Sequence, residues 1–427
     1  MSDFDCTSCG SCAESCPAHA LEMVPAELTE DKKEKWDYVL SLSDKGEIFD
    51  RWTVKGSQFK QPLVEFSAAC AGCGETPYAK LMTQLFGERV YWANGTGCSQ
   101  AWGASMPGIP YTVDRRGFGP AWTNSLFENN AELCLGMLLS VKQQRNAVKA
   151  QVEALSANAS PELKKACEDW LAAFDDFDAS RTTADALCAL LEKEDSPEAK
   201  DILTHKDQLA RKTFWMYGGD GWAYDIGFGG LAHVIASGEN VNVFIIDTEV
   251  YSNTGGQSSK ATPIGAVAQF ASSGKRSRKM DLGGIMMSYG NVYVAQVAMG
   301  ADPNQLIKAI KEAEAFDGPS VIVAYTPCTS HGIRRGMNKV QEEMKRAVES
   351  GYWLLYRYDP RLSQPLHVDS KEPKMSYEDF LDGETRYSAL KLTFPENAKE
   401  LFAIGSKEAA DRYAQYKQRE ETQHTEG

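Results

Sequence analysis

Two short stretches of this 427-residue chain carry the residue types that hold a phosphate and a hard cation. Tyr217-Gly218-Gly219-Asp220-Gly221 falls where a strand should end and a helix begin, the place where backbone N–H groups can cradle phosphate oxygens. Gly219, Asp220 and Gly221 are therefore binding candidates, with Asp220 facing a metal. The second stretch, Asp247-Thr248-Glu249-Val250-Tyr251-Ser252-Asn253-Thr254-Gly255-Gly256, follows the next expected strand. Thr248 follows Asp220 by 28 positions (248 − 220), the room that one βα crossover takes. Magnesium bridging a diphosphate needs oxygen ligands in octahedral array, and an Asp carboxylate, a Thr hydroxyl and a backbone carbonyl of the second stretch supply them without excess charge. Gly-Asp-Gly is also common in surface turns, so the pairing of the two loops matters more than either alone.

Eleven cysteines make up the other chemistry. Cys70-Ala71-Gly72-Cys73-Gly74 is a Cys-x-x-Cys turn whose glycines let two thiolates converge, a pattern shared by zinc knuckles, redox dithiols and iron–sulfur sites. Cys98 and Cys328 each stand just past an expected strand end, where a cofactor would also lie. Four such thiolates suit zinc or a 4Fe-4S cluster, and spacing does not choose between them. Near Cys328, His331 is open to an acid–base role or to a supporting or surface position. Cys134, Cys167 and Cys188 lack ligand spacing and read as structural thiols.

At the head of the chain, Cys6-x-x-Cys9-x-x-Cys12-x-x-x-Cys16-Pro17 is the bacterial ferredoxin run. In two-cluster ferredoxins the first three cysteines of such a run hold one 4Fe-4S cluster and the fourth reaches to another. One run is present here. Cys6, Cys9 and Cys12 therefore await a fourth ligand and Cys16 a second cluster, which another polypeptide is expected to supply.

The segments GDGWAYDIGFGGLAHVIASGENVNVFIIDTEVYSNTGGQSSKATPIGA, SAACAGCGETPY, NGTGCSQAWG and YTPCTSHGI resemble the C-terminal part of the long single-chain pyruvate:ferredoxin (flavodoxin) oxidoreductases. The resemblance implies that Asp220, Thr248 and the Val250 carbonyl hold Mg2+ on thiamine diphosphate. It places Asn253 against the substrate, as the catalytic residue of this part, and Cys70, Cys73, Cys98 and Cys328 around the cluster nearest the thiazolium ring. It implies pyruvate and coenzyme A as substrates, ferredoxin or flavodoxin as acceptor, and a homodimer of the complete enzyme. The family's activating glutamate and substrate-binding arginine belong to domains not seen in this sequence, so a further polypeptide carrying them is expected. Two other readings stand beside this one: the β-subunit of another 2-oxoacid:ferredoxin oxidoreductase, or a non-catalytic iron–sulfur electron-transfer module. Retention of both oxygen-bearing loops speaks against the second.

These residues need a frame. Strands expected at Thr213–Tyr217, Val241–Ile246, Val292–Val297 and Ser320–Tyr325, with helices at Ile226–Ser237 and Pro303–Ala315, alternate in the manner of an α/β parallel sheet with helices on both faces. Ligands of such sheets sit at the carboxyl ends of the strands. The chain divides into a partial 4Fe-4S ferredoxin module and linker (1–50) and a thiamine-diphosphate-binding domain (51–427). The latter includes a helical insertion at about 124–211 and a polar tail at about 358–427 that wraps the domain or a partner. A net charge of −14 argues against nucleic acid, which rewards clustered Lys and Arg. The lack of a long apolar run or basic leader argues for a cytoplasmic protein that does not enter membranes.

Overall fold

The computed structural model describes residues 5–26, 30–42, 48–105 and 108–423. Its strands are β1 (Val90–Asn94), β2 (Ala121–Asn124), β3 (Thr213–Gly219), β4 (Asn242–Asp247), β5 (Val250–Tyr251), β6 (Gln257–Ser258), β7 (Tyr293–Val297), β8 (Ser320–Tyr325), β9 (Tyr356–Tyr358) and β10 (Leu366–Val368). Eight form one sheet in the order β10-β9-β7-β8-β4-β3-β1-β2, and β5 and β6 pair separately. The six strands from β7 to β2 run parallel, while β9 and β10 add antiparallel at one edge.

Successive side chains of a strand point to opposite faces, so a strand buried at every position must be covered on both. All six residues of β4 and of β8 are buried, as are the first six of β3, which is why these read as unbroken apolar runs rather than alternating ones. The helix Thr76–Phe86 supplies part of that cover. It begins with a proline in its first turn and buries Tyr78, Ala79, Leu81, Met82, Leu85 and Phe86. Its Tyr78 hydroxyl ties the end of β8 to the crossover that leaves β7, donating to Tyr325 O (2.9 Å) and accepting from Met299 N (3.0 Å).

Strand order fixes where the chemistry falls. β3 pairs with β4 (Gly219 opposite Ile246), β4 with β8 (Asp247 opposite Tyr325), and β1 with β3 (Asn94 opposite Tyr217). The loops leaving the carboxyl ends of β1, β3, β4 and β8 are thereby neighbours, and they carry Cys98, Asp220, Thr248 and Cys328.

Helices Asn130–Ser156, Pro161–Ala172, Ala179–Leu191 and Pro197–Thr204 lie between β2 and β3 and close a small core of their own around Trp170, Val152, Leu187, Leu191 and Ile202. Cys167 belongs to that core and Cys134 to the main one, both fully buried, and Cys188 is half-buried. The tail folds into regular elements. Besides β9 and β10 it forms helices Thr385–Thr393 and Pro395–Gln423, and it packs on this same chain, with Glu420 accepting from Val368 N (2.9 Å) and Tyr416 donating to Asp281 (2.8 Å). At the head a helix runs over Glu30–Ser41. Among the described residues no helix is long and apolar enough to cross a membrane.

Candidate functional site

Asp220 caps the π-helical turn Gly221–Ile226 that follows β3 and is 1% exposed. Its Oδ1 accepts from Thr248 N (3.2 Å) and Thr248 Oγ1 (3.0 Å), and its Oδ2 from Ser259 Oγ (2.6 Å). The Thr248 hydroxyl also lies 3.0 Å from Val250 O, so the three oxygens picked out in the sequence stand together. No Lys or Arg forms an ion pair with Asp220 among the described residues. Burial, and after it the charge of Asp247, pushes its carboxyl up to about 8. A buried carboxylate with no cation in contact is poorly placed until one binds, and that is the setting a divalent metal site requires.

These residues line a cavity of about 160 Å3 with Gly219, Gly221, Trp222, Tyr251, Ser252, Asn253 and Thr254. A second cavity of about 190 Å3 adjoins it, lined by Cys70, Cys73, Cys98 and Cys328 with Trp102 and Pro327. Thr248, Asn253, Cys98 and Glu75 line both, so they form the wall between them. The four cysteines sense one another: burial raises the thiols of Cys73 and Cys98, and the charges of Glu75, Cys328, Cys73 and Cys70 raise Cys98 further. A single zinc draws four sulfurs to about 2.3 Å from one point and leaves no void between them. Here the four thiols line one cavity. Among the described residues no three His, Cys, Asp or Glu side chains are close enough to hold one ion.

The Cys70–Gly74 turn fits because of its glycines. Gly72 has φ +74°, and a Cβ on it would stand 2.5 Å from Met337 O, while one on Gly74 would stand 2.6 Å from Pro327 O. Gly72→Ala is therefore expected to cost at least about 1–2 kcal/mol from the left-handed backbone alone, and to lower the iron content of the anaerobically prepared chain. Thermal melting with iron analysis checks this, and an alanine variant with full iron and an unchanged melt would refute it.

Sequence reasoning missed Glu75. It is 5% exposed, accepts from Trp102 Nε1 (2.8 Å), and burial pushes its carboxyl up to about 7. Its one legible signal was position, two residues after Cys73 in CAGCGE. His331 was seen but not placed. It is fully buried, with Nε2 2.8 Å from Thr248 O, which rules out a surface position.

Also missed was the charge network beneath the Asp247–Val250 loop. Asp247 accepts from Tyr224 Oη and Lys279 Nζ (both 2.8 Å). Glu249, in the left-handed region at φ +62°, accepts from Tyr352 Oη (2.6 Å) and Arg386 Nη2 (2.7 Å), with Lys279 at 3.2 Å. Burial alone would raise Glu249, but the Lys279 and Arg386 charges outweigh it and leave the carboxyl lowered to about 2.

The ferredoxin run lies against this site. Its short helix Ser11–Ser15 packs on Met337–Lys339, and Glu14 pairs with Lys339. Burial raises the Cys9 thiol, yet hydrogen bonds from Ser11, the Gly72 N–H and Thr7 overcome it and leave it lowered, so Cys9 touches the turn between Cys70 and Cys73. Cys16 is lowered by the Ala20 and Ala18 N–H groups, and Cys6 and Cys12 are exposed. A larger open cleft of about 810 Å3 near the amino end of β1 holds none of these ligands, and its Arg51, Arg89 and Arg116 already pair with Asp178, Glu88 and Asp114.

Residues 204–324 match the thiamine pyrophosphate enzyme C-terminal TPP-binding domain, and residues 3–22 match the 4Fe-4S binding domain. The chain is 56% identical to the pyruvate:ferredoxin oxidoreductase of Moorella thermoacetica, over 98% of this chain and 37% of that protein. It is 53% identical to the pyruvate-flavodoxin oxidoreductase of Klebsiella pneumoniae, over 98% of this chain and 36% of that one. Against the mitochondrial pyruvate dehydrogenase [NADP(+)] of Euglena gracilis it is 46% identical, over 97% of this chain and 23% of the relative. The chain thus spans a little over a third of the length of the first two relatives.

Proposed function

Taking the chain as a pyruvate:ferredoxin (flavodoxin) oxidoreductase sequence that spans part of its relatives' length, we propose that it forms the thiamine-diphosphate-binding and first electron-accepting portion of such an enzyme. Under this reading the assembled enzyme oxidatively decarboxylates pyruvate with coenzyme A, giving acetyl-CoA and carbon dioxide, and passes the electrons to ferredoxin or flavodoxin. The observation that carries it is the shared wall: Thr248, Asn253, Cys98 and Glu75 each face both the oxygen-lined cavity and the thiol-lined one.

Asp220, Thr248 and the Val250 carbonyl would hold Mg2+, while the N–H groups at Gly219 and Gly221 take the diphosphate. Thiamine diphosphate, when bound, supplies a nucleophilic ring carbon that adds to a 2-oxo acid and retains the electron pair when carbon dioxide leaves. Asn253, at the wall between the cavities, donates its amide to the substrate oxygen that gains charge. Trp222, Tyr251 and Phe127 give the first cavity an aromatic lining. Cys70, Cys73, Cys98 and Cys328 would hold a 4Fe-4S cluster, which would supply a one-electron acceptor beside the first cavity. Cys6, Cys9 and Cys12 hold part of a second cluster and Cys16 part of a third, each completed from outside this run in the assembled enzyme, itself a homodimer.

The test is a titration of the anaerobically purified chain with thiamine diphosphate and Mg2+, followed through tryptophan fluorescence because Trp222 lines the cavity. Saturable, Mg2+-dependent quenching is expected, together with acid-labile sulfide and iron. Absence of saturable binding would remove the reading.

A further inference from the structure

A closed ring of buried polar groups joins the two loops of the site to the chain's tail. Starting at Thr248, whose carbonyl oxygen lies 2.8 Å from His331 Nε2, it passes to His331 Nδ1, which makes no hydrogen bond and stands in contact with Glu384 Oε1 at 3.5 Å. Glu384 Oε2 accepts from Arg386 Nε (2.6 Å), Arg386 Nη2 donates to Glu249 Oε2 (2.7 Å), and Glu249 is bonded to Thr248. Glu249, His331 and Glu384 are fully buried and Arg386 is 5% exposed. A carbonyl cannot donate, so Nε2 of His331 carries the proton toward Thr248.

His331 is also the last residue of the one-turn helix that begins after Cys328, and its N–H donates to Cys328 O (3.0 Å). One rigid turn therefore presents the Cys328 sulfur to the thiol cavity on one side and the His331 ring to the Thr248 carbonyl on the other. The turn cannot drift from behind, because Gly332, at φ +64°, receives the Thr385 N–H (2.8 Å) and hydroxyl (2.8 Å), and a Cβ there would lie 2.6 Å from Thr385. The Thr248 side chain is held by Asp220 and its carbonyl by His331, so this residue cannot move relative to Cys328 without breaking a buried hydrogen bond.

We propose that His331 is a positioning residue: by pinning the Cys328 turn to the Thr248 carbonyl, with Glu384 and Arg386 closing the ring behind it, it fixes the separation between the cluster cage and the diphosphate-binding loop. This rests on the function proposed above and adds to it a residue that touches neither group. Tail residues Glu384 and Arg386 thereby become part of the site's framework rather than surface charge.

The experiment uses the full chain, prepared anaerobically, with His331→Leu and His331→Gln variants, the latter retaining an N–H donor. Two quantities are read: thiamine diphosphate affinity with Mg2+ by tryptophan fluorescence, and the EPR spectrum of the reduced cofactor-proximal cluster. His331→Leu is expected to weaken binding by ~10-fold or more, in the range that supporting residues of a metal site contribute. It should also alter the EPR line shape, with iron content unchanged, and His331→Gln should recover both. A leucine variant that changes neither readout, or only one, overturns the proposal, as does a glutamine variant no closer to wild type. Should the leucine variant not fold, Glu384→Gln replaces it under the same criteria. A wild-type chain that fails to bind thiamine diphosphate would instead sink the functional reading itself, and this inference with it.

Discussion

Asp220→Asn is expected to abolish measurable thiamine diphosphate binding while leaving the metal-free chain at least as stable as wild type. The two halves of that result have one cause. Asparagine keeps the size of the side chain and one acceptor oxygen for Thr248, but it removes the negative charge that a cation needs. Supporting residues around a metal contribute roughly 10- to 100-fold in affinity, and a direct anionic ligand should contribute at least the upper figure. In the metal-free chain the same charge is a burden. Burial and Asp247 raise the Asp220 carboxyl to about 8, above its unfolded value, so the folded chain holds a proton that the unfolded chain releases. The stability this group withdraws grows as pH rises from the ordinary carboxylate range toward about 8, and asparagine withdraws none. At ligand 100-fold above its dissociation constant, wild type should gain about 2.7 kcal/mol and the variant none. Melting curves at pH 5 and pH 8, with and without thiamine diphosphate and Mg2+, give all four numbers. A variant that still gains stability from the ligand would show that Asp220 is not the metal-facing group.

Cys328→Ala should remove one cluster and little else. The chain is expected to lose roughly four irons and four sulfides, because three thiolates on a cluster built for four leave it open to loss. Thiamine diphosphate binding should survive, since the contact that supports Thr248 runs through the backbone carbonyl of Cys328 and the ring of His331, neither of which the substitution alters. Anaerobic iron and sulfide analysis with EPR measures the first outcome and fluorescence titration the second. An unchanged iron count would defeat the assignment of Cys328. Loss of both cluster and cofactor binding would mean that the cluster itself, rather than the protein around it, holds the diphosphate loop.

The two substitutions also separate parts of the site that were unequally visible in the sequence. Asp220, Thr248 and Val250 could be read because each follows an unbroken apolar strand, and β3 and β4 announce themselves by being buried on both faces. The strand expected at Ser320–Tyr325 has those bounds in the structure, and the helix Pro303–Glu314 ends one residue short of its expected limit. Shorter elements carried no such signal. β2 has four residues, and β9 and β10 have three each, too few for a period of two to stand out, and they are held by pairing with strands already in place. In the tail, Glu384 and Arg386 stand in a stretch that the sequence marks only as polar, and the position of Glu249 and His331 opposite them makes their burial tolerable.

Residue types and their spacing specify the local chemistry: which strand ends carry clustered oxygens, which turns carry paired thiols, and which glycines let two backbones touch. Tertiary structure alone decided which of those ends are neighbours, because the order β8-β4-β3-β1 depends on strand pairings between segments far apart in the chain. It also decided that Glu75 stands between two cavities and that Glu249, His331, Glu384 and Arg386 close a ring. The physical reason is that periodicity records how a segment meets its nearest surroundings, whereas a buried charge is stable only beside the particular partner that the rest of the fold brings to it.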